Sequence, residues 1–200
     1  MDAPVSVLVV EDDPDLRCLH RLWLAEDYDV TAVADGESAL EAAVETVDVV
    51  LLDRDLPGMD GDGVARRLNA DGFQGLIAMV TGREPDPSIA TLPIDEYVTK
   101  PVEAAELRAV VDRLAARQQV PPAVRTLFGS VTRRARLESS LGCRPADSDA
   151  FAELTRRIDD QWATVRRDTS RAQLASMAAD CLPPVLSGDR PLEVAPPVEQ

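Results

Sequence analysis

Two valine-rich runs, VSVLVV at residues 5–10 and VDVVLL at residues 47–52, constrain the fold of this chain more than any other feature. A run that is apolar at nearly every position suits a strand covered on both faces, as the central strands of parallel sheets are. Shorter strand candidates occupy residues 29–34, 76–80 and 96–99. Helical patterns separate the five segments. The sequence therefore predicts an α/β domain, with a doubly wound five-stranded parallel sheet, over residues 1–120.

Two of the connections between strands carry clear local features. Asp13 followed by Pro14 is typical of an N-cap and the first helical position, which predicts a helix from there to about Glu26. The connection before the last strand instead contains three helix-breaking residues, Pro85, Pro87 and Pro93. We therefore expect the fourth helix of the domain to be short or irregular.

Residues 121–180 show no strand pattern and begin with a proline pair that cannot continue a helix, which marks a domain hinge. Two amphipathic patterns with a turn at residues 142–147 predict a small α-helical hairpin domain, whose second helix is capped by Asp147 or Ser148. Two helices alone bury their apolar stripes poorly, so we expect the hairpin to pack on the first domain or on a second copy. Residues 181–200 are rich in proline and acidic, which predicts a disordered tail.

The chain is strongly acidic, and its basic residues are almost all arginine. The net charge is −15, and Lys100 is the single lysine beside 20 arginines. Such a surface suits a salt-adapted organism and disfavours a free polyanion as the ligand. No apolar run is long enough to span a membrane, no secretory signal peptide precedes the first strand, and three distant cysteines form no disulfide framework. We therefore expect a cytoplasmic protein.

Side chains that suit phosphoryl transfer follow four of the predicted strands. They are Glu11 and Asp12 after the first strand, Asp53 and Asp55 after the third, Thr81 at the end of the fourth and Lys100 after the fifth. Ligands of parallel sheets bind at the carboxyl ends of the strands. Two carboxylates about 4 Å apart repel by roughly 4 kcal/mol at an effective dielectric of about 20, so an acidic cluster there requires a cation or the protonation of one carboxylate. Mg²⁺ takes carboxylate oxygens, and the Lys100 ammonium and Thr81 hydroxyl suit a phosphoryl group.

The strings VVEDDPD, LLDRDLPGMDG, VTG and YVTKP, which contain these side chains, resemble the receiver domain of two-component response regulators over residues 5–117. The resemblance implies a flavodoxin-like sheet with the strand order 2-1-3-4-5, in which the first and third strands are neighbours. It also implies phosphorylation by a sensor histidine kinase with Mg²⁺ as the cofactor. No enzymatic activity beyond slow self-dephosphorylation is expected.

The same resemblance implies a role for each strand-end residue. Asp53 would be the phosphoacceptor, and Thr81 and Lys100 would bind the phosphoryl group. The other implied roles are metal ligation by Glu11, Asp12, Asp53 and the main-chain carbonyl of Asp55, switching by Thr81 and Tyr97, and a cis peptide bond between Lys100 and Pro101.

The strings VTRRARLESSL and DAFAELTRRID within residues 123–170 resemble the HalX domain found behind receivers in halophilic archaea. The implied output is a helical segment that forms a homodimer through residues 121–180 or binds a partner. DNA binding is a further candidate output, favoured slightly by the net charge of +3 on residues 121–171, but no recognition-helix pattern is present. The arginine pairs 133–134, 156–157 and 166–167 are interpreted as solvated helix faces, with a phosphate-binding stripe as the alternative.

A phosphatase of the haloacid dehalogenase class is the second interpretation of the strand-end cluster. That class also uses an Asp nucleophile in a D-x-D string, here Asp53 and Asp55. The chain order opposes it, because the acidic metal pair of that class follows the lysine, whereas Glu11 and Asp12 precede it. His20, the only histidine, is predicted to occupy a surface position on the first helix without a role in the site.

Overall fold

Five parallel strands form the single sheet of the computed structural model, which describes residues 4–43, 46–141 and 148–183. The strands are β1 Ser6–Val10, β2 Asp29–Val33, β3 Val49–Leu52, β4 Leu76–Thr81 and β5 Glu96–Thr99. Their order is β2-β1-β3-β4-β5, with every neighbouring pair parallel. The predicted flavodoxin-like topology is therefore confirmed.

Seven α-helices and one short 3-10 helix are present in the described residues. The α-helices are α1 Pro14–Leu24, α2 Gly36–Ala42, α3 Gly61–Ala70, α4 Ala104–Gln118, α5 Pro122–Leu141, α6 Asp149–Asp168 and α7 Arg171–Cys181. None of them is long and apolar enough to cross a membrane.

The three central strands account for the continuous apolar runs. β3 and β4 are buried at every position, and β1 at all but its first. The outer strand β2 is partly exposed along its whole length. On one face of the sheet, apolar residues of α1 and α4, including Leu24, Leu107 and Leu114, pack against β1, β3 and β4. Burial of both faces fixes the central strands, so the residues that follow them are held in place.

Side-chain caps begin the helices where the sequence predicts them. Asp13 accepts hydrogen bonds from the N–H groups of Asp15 and Leu16 at the start of α1, which confirms the predicted N-cap. Ser148 caps α6 in the same way, by accepting from the N–H of Phe151. Each cap satisfies an N–H group that has no partner within its helix.

The connection between β4 and β5 contains the 3-10 helix Pro87–Thr91 in place of an α-helix. This confirms that the fourth helix is short and irregular. Residues Pro85–Thr91, called the inserted segment below, belong to a different compact unit from the strands on either side. The sheet unit consists of Met1–Glu84 and Leu92–Ala115, and the helical unit consists of Pro85–Thr91 and Ala116–Gln200.

The helical unit contains a third helix, α7, which the apolar pattern alone does not distinguish from the second predicted helix. α5 and α6 pack against each other, and α7 follows α6 after a break at Thr169–Ser170. Within this unit Arg133 and Arg134 are buried, so their predicted position on a solvated face is wrong. Arg133 donates to the hydroxyl of Ser130 at 3.2 Å.

Several predictions about the C-terminal part are not decided by this architecture. The turn at residues 142–147 and, within the predicted tail, residues 184–200 lie outside the described residues. The domain boundary at residue 120 stays a prediction.

Candidate functional site

The carboxyl ends of β1 and β3 lie side by side and carry two buried carboxylates. Val10 pairs with Leu52 in the sheet, so the residues that follow them, Glu11 and Asp53, leave the sheet together. The N–H of Asp53 donates to the carbonyl of Val10 at 2.9 Å. Glu11 is 2% exposed and Asp53 6%. The apolar run before each acid thus holds its carboxylate at the edge of the sheet.

The ends of β4 and β5 bring a hydroxyl and an ammonium to the same edge. Thr81 pairs with Thr99, and the N–H of Lys100 donates to the carbonyl of Thr81 at 2.7 Å. The Nζ atom of Lys100 donates to Oε2 of Glu11 at 2.7 Å and to Oδ2 of Asp53 at 2.6 Å. One ammonium is therefore shared by two buried carboxylates.

Asp53 is held in its ionised form. Burial opposes ionisation, but hydrogen bonds from Lys100, from the N–H of Asp55 at 3.1 Å and from the Thr81 hydroxyl outweigh it and lower the pKa of Asp53 below its ordinary value. The carboxylate of Asp53 therefore keeps its negative charge at neutral pH.

The other members of the charge cluster shift in the opposite direction. Burial dominates for Glu11 and raises its pKa, even though Lys100 offsets part of the effect. Burial opposes the charge of Lys100, but the hydrogen bonds to Asp53 and Glu11 outweigh it and raise the pKa of the ammonium. Lys100 therefore stays protonated, and Glu11 is the group that burial penalises most clearly.

Three carboxylates of the site can share a cation. Glu11, Asp12 and Asp53 each offer an oxygen, and these oxygens lie within 4.8 Å of one another. Asp12 is exposed, whereas the other two are buried. A set of oxygen donors with more negative charge than Lys100 can balance fits a hard divalent cation such as Mg²⁺. The carboxylate of Asp55 is not in this set, and ligation by its main-chain carbonyl stays a prediction.

His20 is buried beside the site, so its predicted surface position is wrong. It is 3% exposed, and its Nδ1 lies 3.9 Å from Oε2 of Glu11. Burial, together with the charge of Lys100, lowers the pKa of His20, so the ring is neutral at pH 7. The spacing in α1 could have revealed this position, because His20 lies four residues from Leu24 on the inward face of the helix.

Arg17 supports the loop that carries the acidic pair. Its Nη1 donates to the carbonyls of Glu11 at 2.7 Å and of Asp12 at 3.0 Å. The sequence contains no local pattern for this contact, because the long side chain reaches back past the start of its own helix. The contact fixes the backbone from which both carboxylates project.

A salt bridge connects the loop after β3 to the loop after β4. Arg83 Nε donates to Oδ2 of Asp55 at 3.0 Å, and its Nη2 contacts the other carboxylate oxygen. The N–H of Arg83 donates to the Thr81 hydroxyl oxygen at 3.4 Å. The partners of the salt bridge are 28 positions apart, so no periodicity in the sequence predicts it. Arg83 therefore joins two segments that flank Asp53.

Tyr97, the predicted switch aromatic, lies buried in β5. It is 1% exposed, and its hydroxyl donates to the carbonyl of Arg83 at 3.0 Å. The predicted cis peptide bond between Lys100 and Pro101 is also present. The structure thus brings Glu11, Asp12, Asp53, Thr81 and Lys100 to one edge of the sheet and links Tyr97 to the loop after Thr81.

The family model for the response regulator receiver domain matches residues 7–112. A protein of Haloferax volcanii described as a candidate transcriptional regulator is 37% identical over 154 residues, which cover 76% of this chain and 26% of that protein. The sensory transduction protein RegX3 of Mycolicibacterium smegmatis is 43% identical over 117 residues, which cover 54% of this chain and 51% of that protein. The chain thus spans at most about half the length of these two relatives.

Solved structures give the same assignment for the sheet. The receiver domain of a sensor histidine kinase from Pseudomonas aeruginosa, with a magnesium ion in its active-site cleft, is 28% identical and has a TM-score of 0.51. The match covers 56% of this chain and 98% of that one. A CheY-like receiver domain protein from Methanospirillum hungatei matches with a TM-score of 0.56 and 24% identity, over 58% of this chain and 98% of that one, and supports the fold.

Proposed function

The chain belongs to the response regulator receiver family over residues 7–112, and from that premise we propose that it accepts a phosphoryl group on Asp53 from a sensor histidine kinase. The main support for this proposal is that the Lys100 ammonium donates hydrogen bonds to both Asp53 and Glu11 at the carboxyl edge of the sheet. The family membership removes the support for a phosphatase of the haloacid dehalogenase class.

In the proposed reaction, an Oδ atom of Asp53 attacks the phosphorus of a phosphohistidine. A P–O bond forms as the P–N bond breaks, and the imidazole leaves with the electron pair and takes a proton from solvent. Lys100 and the Thr81 hydroxyl then bind phosphoryl oxygens and stabilise their charge. No further turnover is expected apart from slow hydrolysis of the acyl phosphate.

Glu11, Asp12 and Asp53 would hold Mg²⁺, as their shared set of oxygens supports. When bound, the ion would offset the negative charge of the carboxylates and of the incoming phosphoryl group. The magnesium ion in the related Pseudomonas receiver supports this part of the proposal. Arg17 would keep Glu11 and Asp12 in position through their carbonyls.

The output of the chain is proposed to pass through its helical unit, whose identity as a HalX domain rests on the sequence resemblance. Among the described residues, the large apolar side chains that are exposed are Leu19 and Leu22, and both lie on α1. A homodimer through the described part of residues 121–180 would therefore bury mainly polar surface. Dimerisation and DNA binding both stay predictions. Light scattering in high salt with Mg²⁺, before and after addition of beryllofluoride, tests the dimer.

Replacement of the phosphoacceptor tests the proposed function directly. We expect Asp53→Ala to abolish labelling by a small phosphodonor such as acetyl phosphate, because the nucleophilic carboxylate is lost. The matched control is Asp71→Ala, which removes an exposed carboxylate that pairs with Arg67. Mass spectrometry should show one added phosphoryl group in the wild type and in the control. Labelling that persists in Asp53→Ala would contradict the assignment.

A further inference from the structure

The chain leaves the sheet unit in the middle of the receiver and returns to it. It enters the helical unit between Glu84 and Pro85 and re-enters the sheet unit between Thr91 and Leu92. The inserted segment, Pro85–Thr91, is thus covalently tied at both ends to the sheet unit while it belongs to the helical unit. Any change in the geometry of the two attachment points therefore acts on a part of the helical unit.

Within the helical unit the inserted segment is a packed element. Its 3-10 helix packs against α5 and α6. Ile89 and Ala90 are buried, and the N–H of Ile89 donates to the carbonyl of Asp86 at 3.1 Å. A displacement of a buried isoleucine disturbs its neighbours, because packed interiors have little free volume.

The base of the same loop is closed by groups of the phosphorylation site. The Tyr97 hydroxyl donates to the carbonyl of Arg83 at 3.0 Å, which joins the chain just before the inserted segment to β5 just after it. The Arg83 N–H contacts the Thr81 hydroxyl, and the Arg83 side chain pairs with Asp55. Asp55 in turn donates its N–H to Asp53. Arg83 therefore contacts three parts of the site and lies two residues from the inserted segment.

We propose that Arg83 and the inserted segment form the route by which phosphorylation of Asp53 reaches the helical unit. This inference rests on the proposed function. A phosphoryl group on Asp53 adds negative charge next to Asp55 and engages the Thr81 hydroxyl, so both anchors of Arg83 change together. The base of the loop shifts, and the inserted segment carries the shift into the packing of α5 and α6. Arg83 acts here as a positioning residue.

Hydrogen exchange of the full chain, read by mass spectrometry with Mg²⁺ and with or without beryllofluoride, tests the route. In the wild type we expect beryllofluoride to slow exchange in residues 53–58. We also expect the exchange of residues 88–91 and of the facing parts of α5 and α6 to change about fivefold or more, as coupled sites typically do. Arg83→Ala removes the side-chain pair with Asp55 but keeps the main-chain contacts of residue 83 with Thr81 and Tyr97. In this variant the protection of residues 53–58 should remain, and the response of the inserted segment and of the helices should be smaller than in the wild type. Arg67→Ala, which breaks an exposed Arg–Asp pair in the same unit, should behave as the wild type.

The outcomes separate the route from the function. No change in residues 53–58 of the wild type would contradict the proposed function itself. A change there without a response in residues 88–91 would overturn the route alone. An undiminished response in Arg83→Ala would overturn the relay through the Arg83 side chain and Asp55, and loss of protection at residues 53–58 in that variant would place the side chain in the phosphoryl site instead.

Discussion

Lys100 is the only lysine of the chain, and it holds the two buried carboxylates of the site. Its carboxylate partners raise its pKa above the ordinary value of 10.5, so the stability that these ion pairs contribute is present below pH 10.5 and is lost as the pH rises through the raised value. We expect Asp53→Asn to lower the pKa of Lys100, because the variant removes one of two negative partners. Lysine labelled with ¹³C at Cε gives a single signal, whose pH titration by NMR measures the shift.

Asp71→Asn serves as the control for this titration, since Asp71 pairs with Arg67 on the surface. It should leave the Lys100 titration unchanged. Equal titration curves for the wild type and Asp53→Asn would mean that Asp53 does not stabilise the ammonium in solution.

Glu11 is expected to cost stability in the protein without metal. Burial raises the pKa of Glu11 above 4.5, so the folded state binds the proton more tightly than the unfolded chain, and ionisation at neutral pH works against folding. Glu11→Gln should therefore raise the free energy of unfolding at pH 7 by on the order of 1 kcal/mol and give no gain below about pH 4.5. The same variant should weaken Mg²⁺ binding.

Urea denaturation at the two pH values and calorimetric titration with Mg²⁺ measure the two effects of Glu11→Gln. A variant that is less stable than the wild type at pH 7 would show that the ion pair with Lys100 outweighs the burial of the charge.

Single residues were predictable from the sequence where strand ends converge, and not where a contact depends on side-chain reach. Asp53, Thr81 and Lys100 each directly follow or end a predicted strand, so the sheet topology brings them together. Arg83 forms a salt bridge with Asp55 that joins two loops, and no local pattern in the sequence predicts this contact. The spacing of His20 to Leu24 in α1 was enough to predict a buried position, but the prediction placed His20 on the surface.

The start of α3 lies directly against the backbone of Asp53, the proposed phosphoacceptor. A Cβ atom at Gly61 would sit 2.2 Å from the carbonyl oxygen of Asp53 and 2.8 Å from the Cα of Arg54, so the main chain would have to move. We expect Gly61→Ala to lower the free energy of unfolding by about 2 kcal/mol and to slow labelling at Asp53. Chemical denaturation and the phosphodonor assay measure these effects.

Gly82→Ala is the matched control for this substitution. Apart from residue 82 and its two chain neighbours, no heavy atom lies within 4 Å of a Cβ at Gly82, so the effect of the substitution on stability should stay within about 0.5 kcal/mol. A Gly61→Ala variant as stable and as readily labelled as Gly82→Ala would show that α3 can move away from Asp53 without loss.

Elements were predictable from caps and proline positions, and one element was missed. The prolines around residues 85–93 correctly indicated a connection without a full helix. α6 and α7 were read as one helix because their apolar residues continue in register. The signal for the break was present, since Ser170 and Gln173 form a capping box at the start of α7, a pattern visible in the sequence.

The whole molecule carries a net charge of −15, which opposes compaction. We expect its melting temperature to rise with KCl and most of the rise to occur below about 1 M, because the screening length falls from about 10 Å at 0.1 M to about 3 Å at 1 M. Differential scanning calorimetry between 0.05 and about 2 M KCl measures the curve. A rise that is equally steep up to 2 M would indicate ion exclusion from the surface instead of charge screening.

At the scale of the whole molecule, the sequence does not predict that residues Pro85–Thr91 belong to the helical unit. Local propensity explains why Pro85–Thr91 forms no long helix, but not which core Ile89 joins. That choice depends on the packed surface of α5 and α6, which exists only after the chain has folded. The compact units of the structure interleave along the chain, and no local pattern in the sequence marks the segment that belongs to the helical unit.

The interleaving limits how evolution can exchange the parts of this protein. A genetic crossover near residue 118 would give α5 and α6 a foreign receiver whose own loop occupies the place of Ile89 and Ala90. The helical unit would then inherit a gap in its interior, even though every residue after the crossover was its own. A functional chimera would have to take the inserted segment and the helices from the same protein. We therefore expect the sheet unit and the helical unit of this chain to be inherited together.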